Sequence, residues 1–273
     1  MEKFDIEKIN TQLEHCANPQ KEAWARNITC TQMPMLVVKS NDINMIVKSI
    51  AKDEVVPYLE AETFKYYENT VIYAKILHRV RDFELFKHYL SKLIPIMDNW
   101  ATVDSIIWQA GKAPQLQVKL PRGVDECKAL DDRSSNCEYG HFECEQKGYK
   151  NDFENANNLF ELSKALLVDE RPFARRTGVR ILFKYLDDQN IDSVLSIVKT
   201  LINESEYYVN MCVAWLLCDS FIKQREKTLS FLSPENVNEF VFRKTVSKCC
   251  DSFRVSATDK TLLREQLKKI YVK

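Results

Sequence analysis

Residues 62–79 read ETFKYYENTVIYAKILHR. Phe64, Tyr67, Val71, Ala74 and Leu77 recur there at three- and four-residue steps, the period of a helix with one apolar face. The same period runs through Phe83 to Met97, Phe153 to Leu167, Pro172 to Leu186, Ile191 to Ile202, Glu206 to Ile222, Val237 to Cys250 and Thr258 to Val272. Starts and stops are legible. Ser205 is placed to cap a helix beginning at Glu206, Pro172 sits at a first helical position, and Pro234 opens a break. No stretch alternates as a strand does. Helices joined by short links and paired along the chain predict an all-α protein, either a stacked helical-repeat solenoid or an irregular bundle.

The composition narrows the function. The chain has 273 residues, 39 Lys+Arg and 39 Asp+Glu, for a formal net charge of zero. Bulk charge will not coat nucleic acid, although a local basic stripe remains possible. Five Gly and eight Pro are too few for a sandwich or barrel that turns every ten residues or so. The first thirty residues show no apolar core of a secretory signal. The longest apolar run, Met211 to Cys218, is far short of the roughly 20 residues of a membrane span. Nine cysteines are an odd number, and Cys212, Cys218, Cys249 and Cys250 sit in apolar helical text, as in a reduced intracellular protein. Phosphate-binding, dinucleotide, zinc-protease and serine-hydrolase motifs are absent from the sequence.

One stretch breaks the helical pattern. From Gly111 to about Lys150 lie four of the five glycines, Pro114, Pro121 and the polar run Asp131 to Asn136. This is the composition of a long loop inserted into a single domain spanning 1–273. It carries Cys127, Cys137, His141 and Cys144, a weak candidate for a Cys3His zinc site because it lacks a tight C-x2-C pair.

Three other constellations could carry chemistry. In Asn99-Trp100-Ala101-Thr102-Val103-Asp104, Trp100 and Asp104 share one helical face. An indole beside a carboxylate suits a reaction that builds positive charge on a sugar. A core Trp beside an Asp in a structural ion pair is the more ordinary use of that spacing. Arg171 to Lys184 holds five bases and no acid in fourteen residues. Arg176, Arg180 and Lys184 stand at i, i+4 and i+8, a ridge suited to phosphate contact or to plain solvation. Glu206 to Trp215 is apolar nearly all round, so Trp215 belongs to an interior helix and Asn210 needs a partner if buried.

Several of these segments together resemble the DNA alkylation repair family, the AlkD-like HEAT-repeat DNA glycosylases. The resemblance is carried by Tyr66-Tyr67-Glu68-Asn69, by Met97 to Asp104, by Tyr207-Tyr208-Val209-Asn210-Met211 through Ala214-Trp215, and by Phe242 to Val246 followed by Ser256 to Leu267. It covers about Phe64 to the C-terminus apart from the insertion. Before Phe64 only Met33-Pro34 and the following helix suggest it.

The resemblance implies a HEAT-like α-α superhelix whose concave face holds duplex DNA. It also implies hydrolysis of the N-glycosidic bond of N3- or N7-alkylated purines without a cofactor. By match to the family's motif, Asp104 is the expected catalytic carboxylate and Trp100 and Trp215 the walls around the sugar. Arg176 is expected to hold a nearby phosphate, a slot Arg175 could also fill. Arg180, Lys184, Arg243 and Lys244 complete the expected DNA contacts. Two departures stand out: the long stretch between Asp104 and Arg176, and Met211 and Cys212 where some members are basic. The expected partner is double-stranded DNA with alkylated bases, met by a monomer in the cytoplasm (at the nucleoid, or in a eukaryote's nucleus) and not at a membrane. The competing expectation is a catalytically silent helical-repeat protein that binds DNA structures or a protein.

Overall fold

The computed structural model describes residues 4–61, 64–80, 82–108 and 157–271. Among them are α-helices and single 3-10 turns, and no strand. The first seven helices are α1 Ile6–His15, α2 Glu22–Thr29, α3 Ser40–Ser49, α4 Val55–Glu60, α5 Tyr67–Leu77, α6 Phe83–Leu93 and α7 Trp100–Trp108. Then come α8 at 157–167, α9 Pro172–Leu182, α10 Ile191–Thr200, α11 Tyr207–Lys223, α12 Arg225–Phe231, α13 Glu239–Asp251 and α14 Ala257–Tyr271.

Alternate helices form a continuous row. α1 packs on α3, α3 on α5, α5 on α7, α7 on α9, α9 on α11 and α11 on α13, with α14 against α13. α4 and α6 lie against α5, α12 lies against α11, and α10 packs on α12. This layering explains the two kinds of helix in the sequence. α5 and α11 have neighbours on several sides and are buried nearly all round. α6 and α10 each bury one stripe, Tyr89, Leu90 and Leu93 in one and Ile191, Val194, Leu195 and Val198 in the other.

Similar tetrapeptides stand at two helix starts. Tyr66-Tyr67-Glu68-Asn69 opens α5 and Tyr207-Tyr208-Val209-Asn210 opens α11. Asn69 accepts the Tyr66 amide at 2.7 Å and donates to Asn10 of α1 at 3.0 Å. Asn210 donates to the Glu204 carbonyl at 2.9 Å and accepts from Asn238 at 3.2 Å. Each asparagine thus ties the start of its helix to a neighbouring element.

Gly178 lets α8 and α9 come together. A Cβ there would stand 2.9 Å from both Leu167 Cγ and the Ser163 carbonyl oxygen, and Ser163 Oγ donates to the Gly178 carbonyl at 2.9 Å. In an open helix Gly→Ala gains about 1 kcal/mol. Here we expect Gly178→Ala to cost about 1–3 kcal/mol, because the clash includes backbone. A urea melt in which the variant is as stable as the parent would contradict this packing.

Several boundaries differ from the sequence expectation, each for a local reason. The helix expected from Glu62 begins at Tyr67, whose amide donates to the Pro34 carbonyl at 2.8 Å. The helix expected to reach Met97 ends at Leu93 in a 3-10 turn containing Pro95. That expected to reach Leu186 ends at Leu182, again in a 3-10 turn. Ser205 is not the cap of α11. The buried carboxylate of Glu204 instead accepts the Ser205 and Glu206 amides at 3.0 and 2.9 Å, and α11 starts at Tyr207. The short helices α4 and α12 were not anticipated, because six- and seven-residue pieces hold too little periodicity, and before Phe64 only the helix after Met33-Pro34 was.

Candidate functional site

α7 is fixed at its start by Asn99, fully buried, whose side chain accepts the Thr102 amide at 2.8 Å as a helix cap. Thr102 meets Thr70 of α5 at 2.7 Å between the two hydroxyls, and Val103 and Ile106 are buried. These contacts turn the remaining face, with Trp100 and Asp104, away from α5. Trp100 Nε1 donates to the Ile28 carbonyl at 2.9 Å, so its ring is held by the C-terminal end of α2. Asp98 fastens the same segment, accepting from Thr31 Oγ1 at 2.8 Å and from the Gln32 amide at 2.7 Å. The Cys30 side chain bonds Tyr208 of α11, which with burial pushes that phenol up to about 12. We expect Asn99→Ala to cost about 1–2 kcal/mol by loss of the cap, as thermal melts would show.

Asp104 keeps about a fifth of its side chain exposed and receives two guanidinium groups from α9. Arg176 Nη2 lies 3.0 Å from each carboxylate oxygen, and Nη1 donates to the Tyr208 carbonyl at 2.6 Å. Arg180 Nε lies 3.4 Å from the carboxylate. Its guanidinium stacks 4.4 Å from the ring centre of Trp215 and 4.3 Å from that of Phe183. Phe183 and Trp215 meet edge to face at 5.1 Å. Burial pulls the Arg180 guanidinium down from its ordinary value and Asp104 opposes it, yet an arginine remains a cation. Cys212, packed beside Arg176, is pushed up to about 11 by burial and stays a neutral thiol.

The expected residues therefore divide. Asp104, Arg176, Arg180 and Trp215 converge, from three helices that lie far apart in sequence. The basic ridge does not exist as one face. Arg176 and Arg180 are buried against Asp104, whereas Lys184 falls in the 3-10 turn after α9 and is exposed. Arg175 points elsewhere, bonding Glu204 at 2.7 and 3.2 Å and the carbonyls of Asp169 and Glu170. Arg243 is exposed and paired with Glu239 at 2.6 Å, and Lys244 lies 5.7 Å from the ring centre of Phe240. Cys127, Cys137, His141 and Cys144 lie outside the described residues. Among the described residues no cluster of His, Cys, Asp and Glu could hold a metal ion, and no helix is long and apolar enough to cross a membrane.

Comparison with known proteins identifies a family. The family described as DNA alkylation repair enzyme matches residues 9–122 and 146–248, most of the chain. The chain belongs to that family. No curated protein and no solved structure matches it. Membership makes this DNA alkylation repair protein an enzyme of DNA repair, with DNA as its substrate. The match is interrupted inside the Cys- and Gly-rich stretch, and all four zinc candidates fall in the interruption. It also extends to residue 9, well before Phe64, so the N-terminal helices that periodicity overlooked are part of the family's pattern. Two site-building acids of this family member went unrecognised in the sequence. Glu68 and Asp98 secure the segment that follows α2, and in the sequence both stood inside segments quoted for the family resemblance without any sign of that role.

Proposed function

We propose that this protein is a DNA glycosylase that hydrolyses the N-glycosidic bond of N3- or N7-alkylated purines in duplex DNA. The observation that carries the reading is a partly exposed carboxylate, Asp104, on one helical face with Trp100 and bridged through Arg180 to Trp215. A cationic alkylpurine needs no general acid. The bond from C1′ to the base nitrogen breaks, its electron pair neutralises the base, and positive charge passes to the sugar. Asp104 stabilises that charge and orients a water onto C1′, and the water's proton passes to solvent. The indoles offer electron-rich faces to the same cation. Arg176 acts in this reading as the tether of Asp104, because both its terminal nitrogens are already engaged inside the protein. The row of odd-numbered helices would form the concave, HEAT-like face that receives the duplex.

The test is base release from methylated duplex. The expected result is free 7-methylguanine or 3-methyladenine with the wild type. Absence of any released base across several alkyl adducts overturns the glycosylase. One observation favours a second reading: Asp104 is already shared by two guanidiniums, which weakens its pull on a sugar cation. A silent DNA-binding protein would show salt-sensitive duplex binding and no turnover.

A further inference from the structure

Arg180 is among the largest fully buried side chains of the protein, at 1% exposure. A cation is costly to bury, and this one could have been an aliphatic residue packing on the same rings. It instead makes three contacts that an aliphatic side chain cannot, one of them over the Phe183 ring at 4.3 Å. Its Nε faces the Asp104 carboxylate at 3.4 Å, and its flat guanidinium covers the Trp215 ring at 4.4 Å. Asp104 belongs to α7 and Trp215 to α11, and both helices pack on α9, which carries Arg180. Arg180 is thus a strut from the central helix to both groups. One rigid planar group makes both the charge contact and the ring contact, so it ties the positions of its two partners to each other.

We propose that Arg180 is a positioning residue for base excision, holding the Asp104 carboxylate and the Trp215 indole in a fixed mutual geometry without touching DNA. The inference rests on the glycosylase reading. The charge and the ring are then coupled: loosening either contact lets Arg180 shift and disturbs the other, although Arg176 still holds Asp104 and Phe183 still meets Trp215. The second guanidinium also moderates the carboxylate, so the site gains order in exchange for some negative potential.

The test is a double-mutant cycle on base release, with Arg180→Met, Trp215→Ala and the two combined. Turnover, KM, affinity for undamaged duplex and thermal midpoint are measured for each. Loss of a desolvated cation–ring contact corresponds to about tenfold or more in rate. We expect each single variant to lose about that much in kcat, with KM and duplex affinity within about twofold, and the combined variant to lose no more than the worse single. Losses that multiply to about a hundredfold overturn the proposal, because the groups would then act independently. A fall in duplex affinity with kcat unchanged also overturns it, because Arg180 would then be a phosphate contact. If Arg180→Met does not fold, Arg180→Lys keeps the charge and removes the planar stack. It should still lose kcat without losing duplex affinity, and wild-type kcat there overturns the proposal. If the wild type releases no base, the glycosylase reading fails by itself. The cycle is then read as affinity for a duplex carrying a cationic pyrrolidine in place of one deoxyribose. A non-additive loss of affinity supports the strut and an additive one overturns it.

Discussion

Asp104→Asn should abolish base release from methylated duplex, by about 10²–10³-fold or more, while duplex affinity is kept. The amide has nearly the shape of the carboxylate and lacks its charge. In the proposed mechanism the indole faces remain, but the full negative charge that offsets the sugar cation is lost. The geometry adds a consequence for stability. Asp104 receives two guanidiniums that are themselves almost entirely buried. Asn keeps one acceptor oxygen for Arg176, so Asp104→Asn should fold. Asp104→Ala removes every acceptor and strands two cations, and losing one side of a buried pair costs about 3–5 kcal/mol. Chemical denaturation of the two variants separates the roles: equal stability of Ala, Asn and wild type would show that the arginines do not depend on Asp104.

Glu68→Ala should be the most damaging change away from the site, at about 3 kcal/mol. Glu68 lies on α5 with no exposed surface. Its carboxylate accepts the Leu36 amide at 3.1 and 3.2 Å and the Val38 amide at 3.3 Å. Between those residues Val37 has φ 60, a left-handed conformation that a β-branched residue resists. The carboxylate holds that kink closed from inside. Without it, two amide hydrogens lose their acceptor and the strained link relaxes. At about 2–4 °C per kcal/mol for a chain of this size class, the thermal midpoint should fall by roughly 6–12 °C. The same connection leads to Ile28, Thr31 and Gln32, which hold Trp100 and Asp98, so turnover should fall as well. A melt unchanged within about 1 kcal/mol would show that the kink stands without Glu68.

Two of the four segments that carry the family resemblance in the sequence are largely scaffolding in the structure. In Tyr66-Tyr67-Glu68-Asn69, the polar residues cap α5 and clamp the link after α2. In Asp98-Asn99-Trp100, Asp98 secures that link and Asn99 caps α7. A specific pattern of residues identified the family without disclosing which of them act on substrate and which hold the others in place. Arg175 and Arg176 make the same point. They are adjacent in sequence and equal in chemistry, yet helical geometry turns one toward Glu204 and the other toward Asp104.

The sequence by itself determined the all-helical class, the main helices and the pairing of Trp100 with Asp104 on one face, because these depend on a period of 3.6 residues and on neighbours a turn apart. Only the tertiary structure decided that Arg176 and Arg180 turn inward to one carboxylate 72 and 76 positions away, and that Glu68 and Asp98 hold a segment some thirty and sixty-six residues before them. Those contacts arise where separate helices meet, and periodicity along a single helix carries no record of which charge the next helix will bring.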